Sequence, residues 1–200
     1  RLVTLAELRF ELALDQYDAA MHDYEASLKT LKAGDQPPPE PRIDFSPSIA
    51  LHRQLLSEFP DDALAETSRY LVGYCLEKQE QFDDAKAEYE AFLLRHPRSN
   101  FVPEVNMRLG EYFFDTATDE QRSVLEQAAE HYQRAAGDLK GPLADKAAYK
   151  LAWTYYRLGD REQAVAVATR LVELYERQGN VGDLLAEAKG LMRLDFDPSR

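Results

Sequence analysis

Residues 66–97 read ETSRYLVGYCLEKQEQFDDAKAEYEAFLLRHP, a stretch in which small, aromatic and helix-breaking residues recur at separations that a pair of packed helices explains. Gly73 follows Val72 at a point where two helices approach closely only if one side chain is missing. Ala85 is expected to face it from the second helix, and Tyr89, four residues on, shares the face of Ala85. Pro97 closes the unit because it cannot continue a helix. The stretch therefore reads as a helical hairpin.

Composition agrees with this reading and removes whole classes of function. The 200 residues are 44% hydrophobic and 30% charged, enough apolar content for a sizeable core and too much charge for a membrane-embedded chain. Ala, Leu, Glu and Gln are abundant and runs of Val, Ile or Thr almost absent, which favours helix over sheet. A formal net charge of -12 repels a phosphate backbone, and no local Lys/Arg cluster offsets it, so nucleic acid is not an expected partner. Cys75 is the only cysteine, which precludes an intramolecular disulfide, and its place two residues after Gly73 predicts a small buried side chain. The chain opens at Arg1 and reads as a piece of something longer. Glu7, Arg9 and Glu11 interrupt any apolar leader core in its first residues.

Taken in order, residues 2–15 and 17–32 carry two helical patterns, with Leu5, Leu8 and Leu12 on one and Ala20, Tyr24, Leu28 and Leu31 on the other. Residues 1–33 are thus expected to form a degenerate hairpin. Four of the five residues Pro37–Pro41 are proline, so 34–46 is an extended connector. Ser46 is placed to cap a helix with Pro47 at its first position. Leu51, Leu55, Leu56 and Phe59 give that helix an apolar face, and Pro60 ends it. Leu55 stands as far before Pro60 as Phe92 before Pro97, so the helix matches the second half of a repeat whose first half has eroded into the proline loop.

Two further hairpins follow. Leu109-Gly110-x-x-Phe113 pairs with Ala128-x-x-x-Tyr132, with an insertion of about six residues between them and a capping box expected from Thr118 and Gln121. Leu151-Ala152-x-x-Tyr155 pairs with Ala164 and Ala168 across a Gly159-Asp160 turn. Hairpins are expected over 47–178, clearest from residue 66, and an amphipathic segment at 180–194, with Leu184, Leu185, Ala188, Leu191 and Met192, is expected to cap the end.

Val72-Gly73-x-x-Leu76, Ala85-x-x-x-Tyr89 and the closing Pro97 resemble the tetratricopeptide repeat signature. The resemblance implies an all-α, right-handed α-solenoid of antiparallel hairpins, about ten helices in all. The phrases LLSEFPDD, YLVGYCLE and AAYKLAWTYYRLGD are similar to those of bacterial cell-envelope tetratricopeptide proteins, among them the outer-membrane assembly lipoprotein, the Tol-Pal coordinator and gliding-motility lipoproteins. That likeness implies a non-enzymatic scaffold in the periplasm or envelope.

The residues offer little for catalysis. His22, His52, His96 and His131 lie far apart without zinc spacing, and Asp61-Asp62 and Asp83-Asp84 stand where helices begin, which suits the helix dipole. No phosphate loop or nucleophile elbow is present, and no cofactor or metal is expected. What the resemblance implies instead is a concave groove lined by the first helix of each hairpin. Its groove positions fall on Tyr70, Tyr74 and Lys78 (with Glu77), on Met107, Glu111 and Phe114, and on Tyr149, Trp153, Tyr156 and Arg157 (with Lys146). Large amphipathic rings suit capture of a protein or peptide segment. The competing reading is a structural segment whose ends stack on further repeats and whose groove is empty.

Overall fold

A computed structural model describes residues 1–32, 34–118, 120–179 and 183–193. These hold nine α-helices and no strand: α1 (Leu2–Leu28), α2 (Ser46–Glu58), α3 (Ala65–Lys78), α4 (Phe82–Arg95), α5 (Val102–Thr116), α6 (Arg122–Ala136), α7 (Ala144–Arg157), α8 (Arg161–Gln178) and α9 (Asp183–Leu191). The all-α class is the one expected. The chain divides into two compact units, Arg1–His96 and Pro97–Arg200.

In the first unit the expected N-terminal hairpin is replaced by one 27-residue helix. The physical reason is local, because Asp15-Gln16-Tyr17 contains neither glycine nor proline and nothing there stops a helix. The partner of α2 is consequently α1 itself. Ser48 Oγ donates to the Ala6 carbonyl at 2.9 Å, and Ala6 and Ala13 are buried. No helix has eroded into the proline loop; the loop is a return stroke. From Ala6 to Leu28 the helix climbs roughly 33 Å at about 1.5 Å per residue. Residues 35–45, without regular structure, run back along it. Pro39 and Pro41 lie in the same cleft as Tyr17, and Phe45 stacks on Phe10 at 4.6 Å between ring centroids. At about 3.1 Å per residue, a proline-rich segment of this length is able to span the same distance.

The start of α2 also differs in detail from expectation. Phe45 is its N-cap residue and no side chain caps the helix as expected of Ser46; Asp44 Oδ1 accepts the Ser46 N–H at 2.9 Å just before it. Hydrogen bonding from the Ser46 side chain, and next from its backbone N–H, holds the Asp44 carboxyl below the usual carboxylate range.

The hairpin α3/α4 is antiparallel, with His96 after the end of α4 within 3.9 Å of Glu66 at the start of α3. At its crossing the ring of Tyr89, rather than Ala85, lies over Gly73. A Cβ on Gly73 would fall 2.6 Å from Tyr89 Cε1. Gly110 repeats the arrangement in the second unit, where a Cβ would fall 2.6 Å from Tyr132 Cδ1. In α7/α8 the crossing is filled by Ala152 and Ala168, both buried in one cluster with Ala164. Alanine stands there in place of both the ring and the glycine.

The insertion in α5/α6 is absorbed without disturbing this crossing. The loop lengthens to 117–121, against 79–81 in α3/α4, and α6 begins ten residues before Tyr132 where α4 begins seven before Tyr89. Of the expected capping box, the Thr118 N–H donates to Gln121 Oε1 at 3.2 Å, while the α6 N-cap, Gln121, makes no side-chain cap. The capping segment appears as α9, whose Ala188 and Leu191 are buried in clusters with α7 and α8 residues. Residues 180–182 and 194 of the expected segment lie outside the described residues.

Two outcomes follow from these contacts. Gly73→Ala, which improves helix propensity by ~1 kcal/mol in an open helix, is expected to destabilise by ~1–3 kcal/mol here because the Tyr89 ring must move; urea melts of the variant measure it. His52 is fully buried with Nδ1 at 3.1 Å from Ser68 Oγ, and burial lowers its pKa from the ordinary 6.5. The unfolded chain therefore binds this proton more tightly than the folded one, so stability present above pH 6.5 falls as the pH drops toward the lowered folded value. Comparing urea midpoints at neutral and mildly acidic pH should show that slope reduced in His52→Gln.

Candidate functional site

The residues expected to line a groove fall on exposed or half-buried helix faces in most cases, and two do not. Tyr70 and Met107 are 7% and 8% exposed, so they serve their cores. The reason is packing. Tyr70 lies 6.2 Å from the Tyr74 ring, and Met107 is buried in one cluster with Ala128, Ala129 and Tyr132.

In the first unit the face of α3 retains Tyr74, half-buried, and Lys78, exposed. The Lys78 ammonium stands 5.4 Å over the Tyr74 ring, a cation–π arrangement that holds both side chains over the helix. Phe10 of α1 adds a third group, 6.2 Å from Tyr74. Sequence reasoning missed Phe10 because it assigned α1 to a separate hairpin, and no spacing within α1 marks it out. Beside Lys78 a cleft of about 320 Å3 is lined by Tyr17, Pro39, Pro41, Arg42 and Ile43 among others.

In the second unit three rings run along one face of α7. Tyr149 and Trp153 meet edge to face at 6.4 Å, and Trp153 and Tyr156 at 5.3 Å, all three half-buried. Residues at i, i+4 and i+7 share a helix face, which is why the sequence places them together. The inner edges of Trp153 and Tyr156 pack on the cluster containing Ala152 and Leu191, so α9 steadies them from one side. Tyr149 packs against the cluster of Leu171 and Ala188, and its burial raises the phenol pKa, with hydrogen bonds to Trp153 and Glu187 also acting on it.

Arg157 has a structural task. Its Nη1 and Nη2 donate at 2.8 Å to the carbonyls of Phe114 and Ala117, which caps the C-terminal end of α5. The guanidinium carbon also lies 4.7 Å from the Phe114 ring centroid, and Lys150 Nζ lies 5.6 Å from the same centroid. Phe114 is thereby flanked by two cations. Glu111, half-buried, stands one residue after Gly110, and its charge raises the Tyr132 pKa.

Other candidate chemistry resolves into structure. Cys75 is fully buried, and desolvation pushes its thiol up to about 12, far from a reactive thiolate. His131 Nδ1 is 2.9 Å from Asn106 Oδ1, and its ring stacks on Phe113. Asp83 and Asp84 occupy the first turn of α4, while Asp62 Oδ1 accepts the Leu64 N–H at 2.8 Å just before α3. Among the described residues no three His, Cys, Asp or Glu converge as metal ligands, and no helix is long and apolar enough to cross a membrane.

The two ring-over-glycine crossings differ at one atom. The Tyr89 hydroxyl donates to Glu77 Oε2 at 2.8 Å, whereas Phe114 stands at the matching position of α5 and the buried Tyr132 hydroxyl has no hydrogen-bond partner among the described residues. Burial, and next the Glu111 and Asp115 carboxylates, push the Tyr132 pKa up, so it stays neutral. Tyr89→Phe is expected to cost about 1 kcal/mol, while Tyr132→Phe, which removes an unsatisfied buried hydroxyl, should be neutral or stabilising. Thermal melts of the pair check the contrast.

Comparison with known proteins adds the family. No curated protein matches the chain significantly. Residues 67–99 and 146–176 match the family described as tetratricopeptide repeat, and they coincide with the hairpins α3/α4 and α7/α8. The α5/α6 hairpin between them, with its longer connection, lies outside both matches. Helical hairpins and sequence matches together support the tetratricopeptide repeat superfamily, whose repeats generally mediate protein–protein interaction.

Proposed function

We propose that the protein is a non-enzymatic adaptor that captures a segment of a partner protein on the aromatic face of α7, helped by the cation-flanked Phe114. The observation that carries this reading is the run Tyr149, Trp153 and Tyr156, edge to face and half-buried. Rings steadied from one side and open on the other lose little entropy when a partner covers them, and rings of this kind make interface hot spots. The Tyr74 and Lys78 face of α3 offers the same chemistry in the first unit.

The partner is a protein or peptide with apolar or aromatic side chains, and its setting is a bacterial cell-envelope complex. The envelope setting is supported by the likeness of phrases such as LLSEFPDD and AAYKLAWTYYRLGD to envelope tetratricopeptide proteins, and by nothing in the site itself. The acidic surface makes nucleic acid an unsuitable ligand.

Trp153 is the sole tryptophan, so its fluorescence reports this face alone. Neutral acrylamide should quench it in the free protein and less once a partner recovered from envelope extracts is bound. Tyr156→Ala and Trp153→Ala should each weaken that binding by ~1–4 kcal/mol with helicity retained. A Trp153 inaccessible to acrylamide in the free protein, or binding unchanged in both variants, would sink the reading.

A further inference from the structure

The cleft beside Lys78 is lined by Tyr17 of α1, by the returning connector from Pro39 to Ile43, and by the turn that ends α3, Lys78 to Glu80. The connector is held in place at its far end, where the Phe45 N–H donates to Gln79 Oε1 at 2.8 Å and the Phe45 ring stacks on Phe10. The turn opposite carries a strain that the α7–α8 turn avoids. Both turns close with the same two bonds. The N–H groups of Glu80 and Gly159 donate to the carbonyls of Glu77 and Tyr156, and those of Gln81 and Asp160 to Leu76 and Tyr155, all at 2.9 Å. This closure needs a left-handed residue, ordinarily glycine. Gly159 supplies it at φ 75°, whereas after α3 a glutamate holds it at φ 61°. A side chain kept in a backbone conformation that disfavours it points to a use for that side chain, and Glu80 lines the cleft.

Charge identifies what that use is. Arg42, Lys78, Glu40 and Glu80 all line the cleft, and among the described residues none of the four makes an ion pair or a side-chain hydrogen bond. By contrast Arg53 pairs with Glu88 and Lys86 with Glu90. A plain anion in the cleft would meet Glu40 and Glu80, and a plain cation would meet Arg42 and Lys78. A ligand carrying both charges suits all four. Tyr17, Pro39, Pro41 and Ile43 add apolar surface between them. We propose that the cleft binds a small zwitterion with an apolar side group, a free amino acid or a short peptide with unblocked ends, its carboxylate on Arg42 and Lys78 and its ammonium on Glu40 and Glu80. At about 320 Å3 the cleft is at the small end of the ~300–1,000 Å3 of ligand sites, which suits such a molecule. It uses neither the α7 rings nor Phe114, so it stands without the reading proposed above.

The test titrates the isotope-labelled full chain with phenylalanine and with glycyl-phenylalanine, followed by amide NMR. At least one of them should give saturable shifts at the backbone amides of Arg42, Ile43, Lys78 and Glu80, and the stronger of the two tells amino acid from peptide. The acetylated and the amidated forms of that probe, each lacking one charge, should bind at least ~10-fold more weakly. Glu80→Gly should weaken the unblocked probe to a similar degree while still folding, since glycine is the ordinary residue at a left-handed position. Arg42→Gln, on the opposite wall, should do the same without touching the turn. The proposal is overturned if neither probe gives saturable shifts at these amides, if the blocked forms bind as well as the unblocked one, or if both variants bind like the parent chain.

Discussion

The architecture depends on one contact, the face of an aromatic ring laid on a helix backbone where a side chain is absent. Gly73 receives Tyr89 and Gly110 receives Tyr132, and in both places a single added carbon would intrude to 2.6 Å. Because the ring fills the crossing, the helix separation is set by its thickness and the two helices lock at one register. Six extra residues in α5/α6 leave the arrangement intact, because loops and helix starts tolerate length while a filled crossing does not. Where the ring is missing, in α7/α8, alanine takes the place of glycine and Ala152, Ala164 and Ala168 are buried together.

The crossings also decide what is left for binding. Helices α3 and α7 each spend one face on their hairpin partner and another on the preceding second helix, α2 or α6, and the rest stays more accessible. Tyr74, Trp153 and Tyr156 lie there, while Tyr70 and Met107 are drawn into the cores. Arg157 shows how a residue type that suits partner recognition can be committed inside the fold, with two guanidinium nitrogens on the end of α5. The same competition explains Glu77, whose carboxylate holds the Tyr89 hydroxyl.

The N-terminal hairpin obeys the same logic in an altered form. Its first helix overshoots α2, and the connector must return the length that the helix climbed. A proline-rich segment suits that task, because it is stiff and needs few hydrogen-bond partners along the way. Phe45 on Phe10, and the Phe45 N–H donating to Gln79 Oε1 at 2.8 Å, fasten the returning end to α1 and α3.

What the sequence determined by itself is the local and periodic part: the all-α class, the hairpins at 66–97 and 143–178, the close approach at Gly73 and Gly110, and the burial of Cys75. Each follows from spacing within about forty residues, where helix periodicity and breakers act directly. It also grouped Tyr149, Trp153 and Tyr156, because one helix fixes which residues share a face. What only the tertiary structure decided are pairings between distant segments. That α1 is one helix with α2 as its partner, that Tyr89 rather than Ala85 fills the Gly73 crossing, and that Arg157 caps α5 all depend on which surfaces meet once the chain has folded back. Periodicity places a residue on a face, and only packing across the fold determines what that face meets.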